Sequence, residues 1–166
     1  MGASIWESIK QAKLRGHGGH VDDYTGAGYA NMIWAPPTLG RLKLNCDASV
    51  AANGEQVGVG IVCRDSEGNF VAALGERLVG RLSPCAAELF SVLRDLEWAM
   101  DQGWNGLVIE TDCLEAVRMV NGSDECLASE GVLVERIREI LDALDIPNIH
   151  HVPRVANMAA YTGQEW

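Results

Sequence analysis

Three acidic residues stand where a chain can bring carboxylates together: Asp47, Glu88 and Asp112. Asp47 ends a stretch in which Leu42, Leu44 and Cys46 alternate with Lys43 and Asn45, and that period of two predicts a strand. Asp112 follows the short apolar run Leu107 to Thr111, which predicts a buried strand. Glu88 precedes Leu89 in the first turns of a predicted helix. Strand ends in open sheets with helical crossovers are where ligand sites gather. Carboxylates that converge in a partly buried site repel one another and favour divalent cations. Two such cations about 3.5–4 Å apart polarise a water and stabilise the leaving oxygen of a phosphodiester. The plainer alternative is solvated surface, the usual fate of acids in an acidic chain, and spacing alone leaves both readings open.

The surrounding pattern supplies a scaffold. Trp34-Ala35-Pro36-Pro37 is a stiff, extended entry into a domain of residues 34–166, and residues 1–33 are expected to be a flexible lead-in with a short helix from Ile5 to Leu14. The first strand ends at Asp47. Val57 to Arg64 and Phe70 to Arg77 are the next two, joined by the turn Asp65-Ser66-Glu67-Gly68-Asn69. Ser83-Pro84 is a helix cap followed by a first-turn proline, and the apolar positions Ala86, Leu89, Phe90, Leu93, Leu96 and Met100 recur at helical spacing up to Gly103. Two further helices follow the fourth strand, one through Val120 and one from Ser129 to Leu144. A fifth strand is expected over Ile146 to Val152, and a last, short helix begins at Arg154. Three strands followed by helix–strand alternation predict an α/β fold: a mixed five-stranded sheet with helices on both faces.

Composition narrows the partners. Of the 166 residues, 48% are hydrophobic and 22% charged, which suits one packed domain. The net charge is −10, and residues 34–166 carry all of it: Lys43 is the only Lys there, beside nine Arg. A generic nucleic-acid coat would have the opposite sign, so nucleic-acid binding must rest on a local site in which metal ions supply positive charge. No apolar run approaches the ~18–20 residues that span a bilayer, so no membrane partner is expected. Met1 to Lys13 carries Glu7 and lacks an apolar core, and Trp6 stands where a myristoylation signal wants Ser or Thr, so neither a secretory leader nor that anchor is expected.

Five cysteines (Cys46, Cys63, Cys85, Cys113, Cys126) without a CxxC pair argue for small buried residues in a reducing compartment, cytoplasmic or nuclear, rather than disulfides or a zinc site. His17 and His20 have no third ligand nearby. Glu97, Glu115, Glu135 and Glu139 read as solvated helix faces, Trp98 and Trp104 as packing residues, and His150 and His151 as core or edge packing. Glu110 precedes Asp112 by two. A surface position is the expectation for it, with an electrostatic share in the site as the alternative.

Five strings in register carry a resemblance. They are Trp34-Ala35-Pro36-Pro37 with Gly40, Lys43, Leu44, Asn45 and Asp47; Gly58-Val59-Gly60-Ile61-Val62 with Arg64-Asp65-Ser66-Glu67-Gly68-Asn69; Ser83-Pro84 with Ala86-Ala87-Glu88-Leu89; Val108-Ile109-Glu110-Thr111-Asp112 with Glu115-Ala116-Val117; and His151-Val152-Pro153-Arg154 with Ala156-Asn157. Together, over about residues 34–161, the chain resembles the plant retroelement-type ribonuclease H domain associated with reverse transcriptases. The resemblance implies a ribonuclease H-like fold and cleavage of the RNA strand of an RNA–DNA hybrid with two magnesium or manganese ions. It casts Asp47, Glu88 and Asp112 as catalytic metal ligands, Asp47 being the bridge between ions. It places Arg154 and Asn157 near the bound phosphate or the rim of the site, where a salt bridge and a helix cap are the structural alternatives. A reverse-transcriptase or other domain in a longer protein is the implied covalent partner.

One position departs from the family. Its last motif runs Ala-Asn, two residues, then Ala-Asp, whereas this chain reads Ala156-Asn157-Met158-Ala159-Ala160-Tyr161. A neutral phenol, with a pKa near ~10, is a poor ligand for a hard divalent ion. Glu165 lies one helical turn further on, about 6 Å along the axis and too far to substitute. The chain also stops at Trp166, where the family's helix usually continues. Ala48 and Cys113 replace a frequent Gly and Ser, and no Lys-rich, Trp-bearing substrate handle is visible between the helices. The expectation is one weakly held ion and impaired cleavage. The alternative is a module of the same fold that has lost catalysis and binds nucleic acid or a protein.

Overall fold

Alternating and β-branched residues put the first three runs of the domain into an antiparallel meander: β1 (Leu42–Val50), β2 (Gln56–Arg64) and β3 (Phe70–Val79). The computed structural model that shows this describes residues 33–123 and 129–161. The expected lead-in with its Ile5–Leu14 helix and the His17/His20 pair lies outside these residues, as do Cys126 and the stretch containing Glu165. Asp65 builds the turn between β2 and β3. Its Oδ1 accepts from the backbone N–H groups of Glu67 and Asn69 at 2.9 and 2.8 Å, and Gly68 supplies the positive φ of 79°. β1 and β3 run past the expected ends at Asp47 and Arg77, because backbone pairing continues to Val50↔Val57 and Gln56↔Val79.

The first helix is punctuated at both ends. The Ser83 hydroxyl accepts from Ala86 N–H at 3.0 Å, Pro84 opens α1 (Pro84–Gln102), and Gly103 closes it in the left-handed region at φ 66°. α1 returns the chain to β4 (Leu107–Thr111), which pairs parallel to β1 with Asn45 opposite Glu110 and Cys46 opposite Thr111. α2 (Leu114–Asn121) and α3 (Gly131–Ala143) follow, the second starting two residues later than expected. The strand order is β3-β2-β1-β4-β5, so β1 is central. Its Leu44 and Cys46 join Leu89, Val92 and Leu96 of α1 and Val134 and Ile137 of α3 in one core, each large side chain contributing about 1.5–3 kcal/mol by burial. No helix among the described residues is long and apolar enough to cross a membrane.

The fifth strand is far shorter than Ile146 to Val152. Only His150 and His151 form β5, beside Glu110 and Thr111 of β4, and both histidines are exposed at the sheet's edge rather than in the core. Pro147 has no N–H to give a ladder, Asp145 turns the chain at φ 54°, and the backbone of Ile149 bonds instead to the Asn121 side chain, at 2.8 and 3.0 Å. A 3-10 turn (Arg154–Ala156) and α4 (Met158–Tyr161) complete the described chain, with α4 packed on β1 and β2.

The alternation in β1 does not separate a core face from a wet face. Lys43, Asn45 and Asp47 are all buried. α1 carries a second polar residue inside: Asp95 shares a helical stripe with Val92 and Ala99, is fully buried, and neither carboxylate oxygen has a hydrogen-bond partner. Burial pushes its carboxyl well above the usual range, which favours the protonated form in the folded chain. This stability is fully present below the unfolded carboxyl value of about 4 and is lost as pH rises toward the raised folded value. Asp95→Asn should therefore match wild type in urea unfolding near pH 4 and exceed it at pH 8; equal stabilities at pH 8 would contradict a protonated Asp95.

Candidate active site

Asp47, Glu88 and Asp112 come together from three elements. Asp47 lies within β1, Glu88 sits just past the first turn of α1, and Asp112 follows the last residue of β4. Each offers a carboxylate oxygen, and these oxygens all lie within 4.8 Å of one another. The parallel register of β1 and β4 brings two of them level, since Cys46 faces Thr111 one step earlier. Glu88 arrives because its neighbours Ala87 and Leu89 are buried against the sheet, which fixes the rotation of α1.

The cluster is poorly solvated. Asp47 is 2% exposed and its Oδ1 accepts from Ala48 N–H at 3.0 Å, while the Asp112 side chain is 12% exposed. The Oε2 of Glu88 is buried without a hydrogen-bond partner. Burial, then the negative charges of Asp47 and Asp112, push the Glu88 carboxyl up to about 8. A buried Asp47 and two half-buried acids, Glu88 and Asp112, with an unsatisfied Glu88 oxygen among them fit an oxygen-seeking divalent cation, whose opposite ligands stand about 4–5 Å apart. Among the described residues no fourth acid joins the group. Tyr161 stands at the end of α4, where the expected acid is replaced.

The two expected substrate residues part company. Arg154 is on the rim, 69% exposed, with Nε 3.9 Å from Asp112 Oδ2. Asn157 is fully buried and donates from Nδ2 to the carbonyl of Cys46 at 2.9 Å, a bond that braces the start of α4 against β1. Cys113 acts as the replaced Ser would, its sulfur accepting from Ala116 N–H at 3.5 Å as the cap of α2. Cys46 and Cys63 are buried and Cys85 and Cys113 half-buried, all as free thiols. Trp98 and Trp104 pack edge to face, 5.0 Å between ring centres. Glu135 and Glu139 are exposed as expected, whereas Glu97 is half-buried against Arg94.

Glu110 corrects the sequence reading most clearly. It is 6% exposed, not a surface residue. Its Oε1 pairs with Lys43 Nζ at 2.5 Å and its Oε2 accepts from Asn45 Nδ2 at 2.9 Å. Sequence reasoning missed this network. Its signal was the lone Lys of the domain placed two residues before Asn45, under a Trp-Ala-Pro-Pro entry.

Comparison with known proteins places this geometry. Residues 45–163 match the family model for reverse transcriptase-like domains. Ribonuclease HI of Halobacterium salinarum is 29% identical over 152 residues, covering 89% of this chain and 71% of that protein. The crystal structure of the ribonuclease H1 from the same archaeon superposes with a TM-score of 0.66 at 28% identity, over 74% of this chain and 92% of the other. LC11-RNase H1, from a compost metagenome and solved with an RNA/DNA hybrid, shares the fold at a TM-score of 0.62 and 21% identity, over 72% and 91%.

Like-charge repulsion makes the apo site unstable as it ionises. Glu88 is raised, so its contribution is complete below about pH 4 and is lost as pH climbs through about 8, by at most about 1.4 kcal/mol per pH unit. Glu88→Gln should melt above wild type in chelator at pH 8 and close to it at pH 4. Manganese should raise the wild-type melting temperature, more at pH 8 than at pH 6, because the ion competes with the Glu88 proton. Equal manganese shifts at the two pH values, or none at either, would count against the cluster as a cation site.

Proposed function

The chain belongs to the reverse transcriptase-like family, and on that premise we propose that the domain of residues 34–166 is a metal-dependent endonuclease cleaving the RNA strand of RNA–DNA hybrids. The observation that carries the reading is the convergence of Asp47, Glu88 and Asp112, with a buried, unsatisfied Glu88 oxygen among them. Ribonuclease H relatives on the same fold support it. Asp47, Glu88 and Asp112 would hold magnesium or manganese. Once bound, such ions activate a water and stabilise the leaving oxygen of a phosphodiester.

The chain's own residues do the rest. Glu88, whose carboxyl is raised, would release its proton to solvent on binding a cation, so that all three carboxylates could ligate. Arg154 on the rim adds a guanidinium beside Asp112, within reach of a phosphate that lies over the site. The net charge of −10 offers no broad attraction for a polyanion, so affinity for the hybrid rests on this local site or on a further domain. A retroelement origin of the plant type, a reverse-transcriptase neighbour in a longer chain, and a cytoplasmic or nuclear setting belong to the same proposal.

Tyr161 motivates a second reading, in which the fold is kept, catalysis is lost, and the module binds nucleic acid or a protein. A labelled RNA–DNA hybrid incubated with manganese or magnesium separates the two. Cleavage by wild type that falls about 100-fold or more in Asp112→Asn is the expected result, since even the partners that only orient a metal ligand cost about 10–100-fold when lost. Tyr161→Asp should raise the rate. Wild type inactive with both ions, and Tyr161→Asp active, would establish the second reading.

A further inference from the structure

We propose that Glu110, clamped by Lys43 and Asn45 beneath Trp34 and Arg64, is a positioning residue that sets the β1–β4 register on which the spacing of Asp47 and Asp112 depends. The inference rests on the nuclease reading for its functional meaning, but its geometry stands apart from it.

The clamp lies two residues behind the site along both strands. Asn45 and Glu110 are register partners across the parallel β1–β4 pair, and each stands two residues before an acid of the cluster, Asp47 and Asp112. Glu110 spends one oxygen on each of two β1 residues, Lys43 through Oε1 at 2.5 Å and Asn45 through Oε2 at 2.9 Å. A carboxylate held between positions 43 and 45 cannot move along β1 without breaking one bond. A slip of one residue would displace Asp112 by about 3.3 Å, most of the 4.8 Å within which the three ligand oxygens lie. Parallel backbone bonds are slightly less stable per residue than antiparallel ones, and β4 has only five residues, so side chains must share in fixing the register.

The clamp is itself braced. Asn45 Oδ1 accepts from Trp34 Nε1 at 2.8 Å and from Arg64 Nη2 at 3.0 Å, so its amide can present only Nδ2 to Glu110. The Arg64 guanidinium lies 3.4 Å from the Trp34 ring centre, a stacked contact. Lys43 Nζ also donates to the carbonyl of Ala35 at 2.7 Å. Asn45 is fully buried, and Lys43 and Glu110 are nearly so. Buried ionic networks of this kind add little net stability over an apolar core, which points to specificity as their use. Here the specified quantity is the register of two strands that carry acids.

The test is the crystal structure of metal-free Glu110→Gln together with its manganese affinity and its hybrid kinetics. Gln keeps the shape but must turn an NH2 group toward Lys43 or Asn45, both donors. The expected result is an Asp47–Asp112 carboxylate separation enlarged by about 1 Å or more, a manganese Kd raised about tenfold, and kcat lowered with KM for the hybrid little changed. Trp34→Phe removes one brace and should give the same changes at smaller size, which keeps the proposal testable if Glu110→Gln does not fold. A purely structural role would lower the melting temperature and leave the spacing and the manganese Kd of the folded protein as in wild type, and that result would overturn the proposal. An enlarged separation in a protein whose wild type neither binds manganese nor cleaves would uphold the clamp and overturn the nuclease reading.

Discussion

The parallel pairing of β1 with β4 is the constraint on which the rest of the molecule depends. Antiparallel strands can be joined by a tight turn, but parallel ones need a crossover, and α1 provides it. Once α1 spans the sheet, its buried face must match β1, and that match sets its rotation and places Glu88. The same pairing makes β1 the central strand, buried along both faces, with Asp47 held where water scarcely reaches. The acids are therefore consequences of the sheet's order and not decorations on its surface.

Two kinds of buried charge coexist here, and they are handled differently. Behind the site, Glu110 has a cation and an amide for its two oxygens, so its charge is matched inside the fold. At the site, the negative charges of Asp47 and Asp112 have a third acid as their neighbour, and the proton on Glu88 relieves the repulsion. The first arrangement is complete without any ligand. The second is relieved in the folded chain by a proton, and added positive charge would relieve it in the same way. Asp95 is a third case, a buried acid kept neutral by burial.

Much of this was legible in the residues. Ser83-Pro84 and Gly103 mark the ends of α1 through cap chemistry, and Leu107–Thr111 is a strand because its apolar run is short and bounded. Position alone left the three acids either a cation site or solvated surface, and the five strings in register marked them as a set. The failures share a cause: local pattern does not report what covers a face. Lys43 and Asn45 look solvent-facing by alternation, yet the Trp34 segment lies over them. Glu110 looks exposed for the same reason. Ile146–Val152 looks like a strand until Asn121, 28 residues from Ile149, takes its backbone groups. Asn157 looks like a polar rim residue, and only the docking of α4 on β1 shows it to be an internal brace.

The order of the strands also governs when the site can come into being. β1 meets β2 through a short turn, so that pair can form early, but Asn45 meets Glu110 across 65 residues of chain. Closing so long a loop costs entropy before any contact rewards it, so the β1–β4 pairing carries a larger closure cost than the β1–β2 hairpin. The acid cluster can exist only after that event, because Asp112 reaches Asp47 through it. A chain with only its first three strands in place holds Asp47 without the two acids that join it in the finished fold. Completion of the sheet and assembly of the three carboxylates are thus a single step.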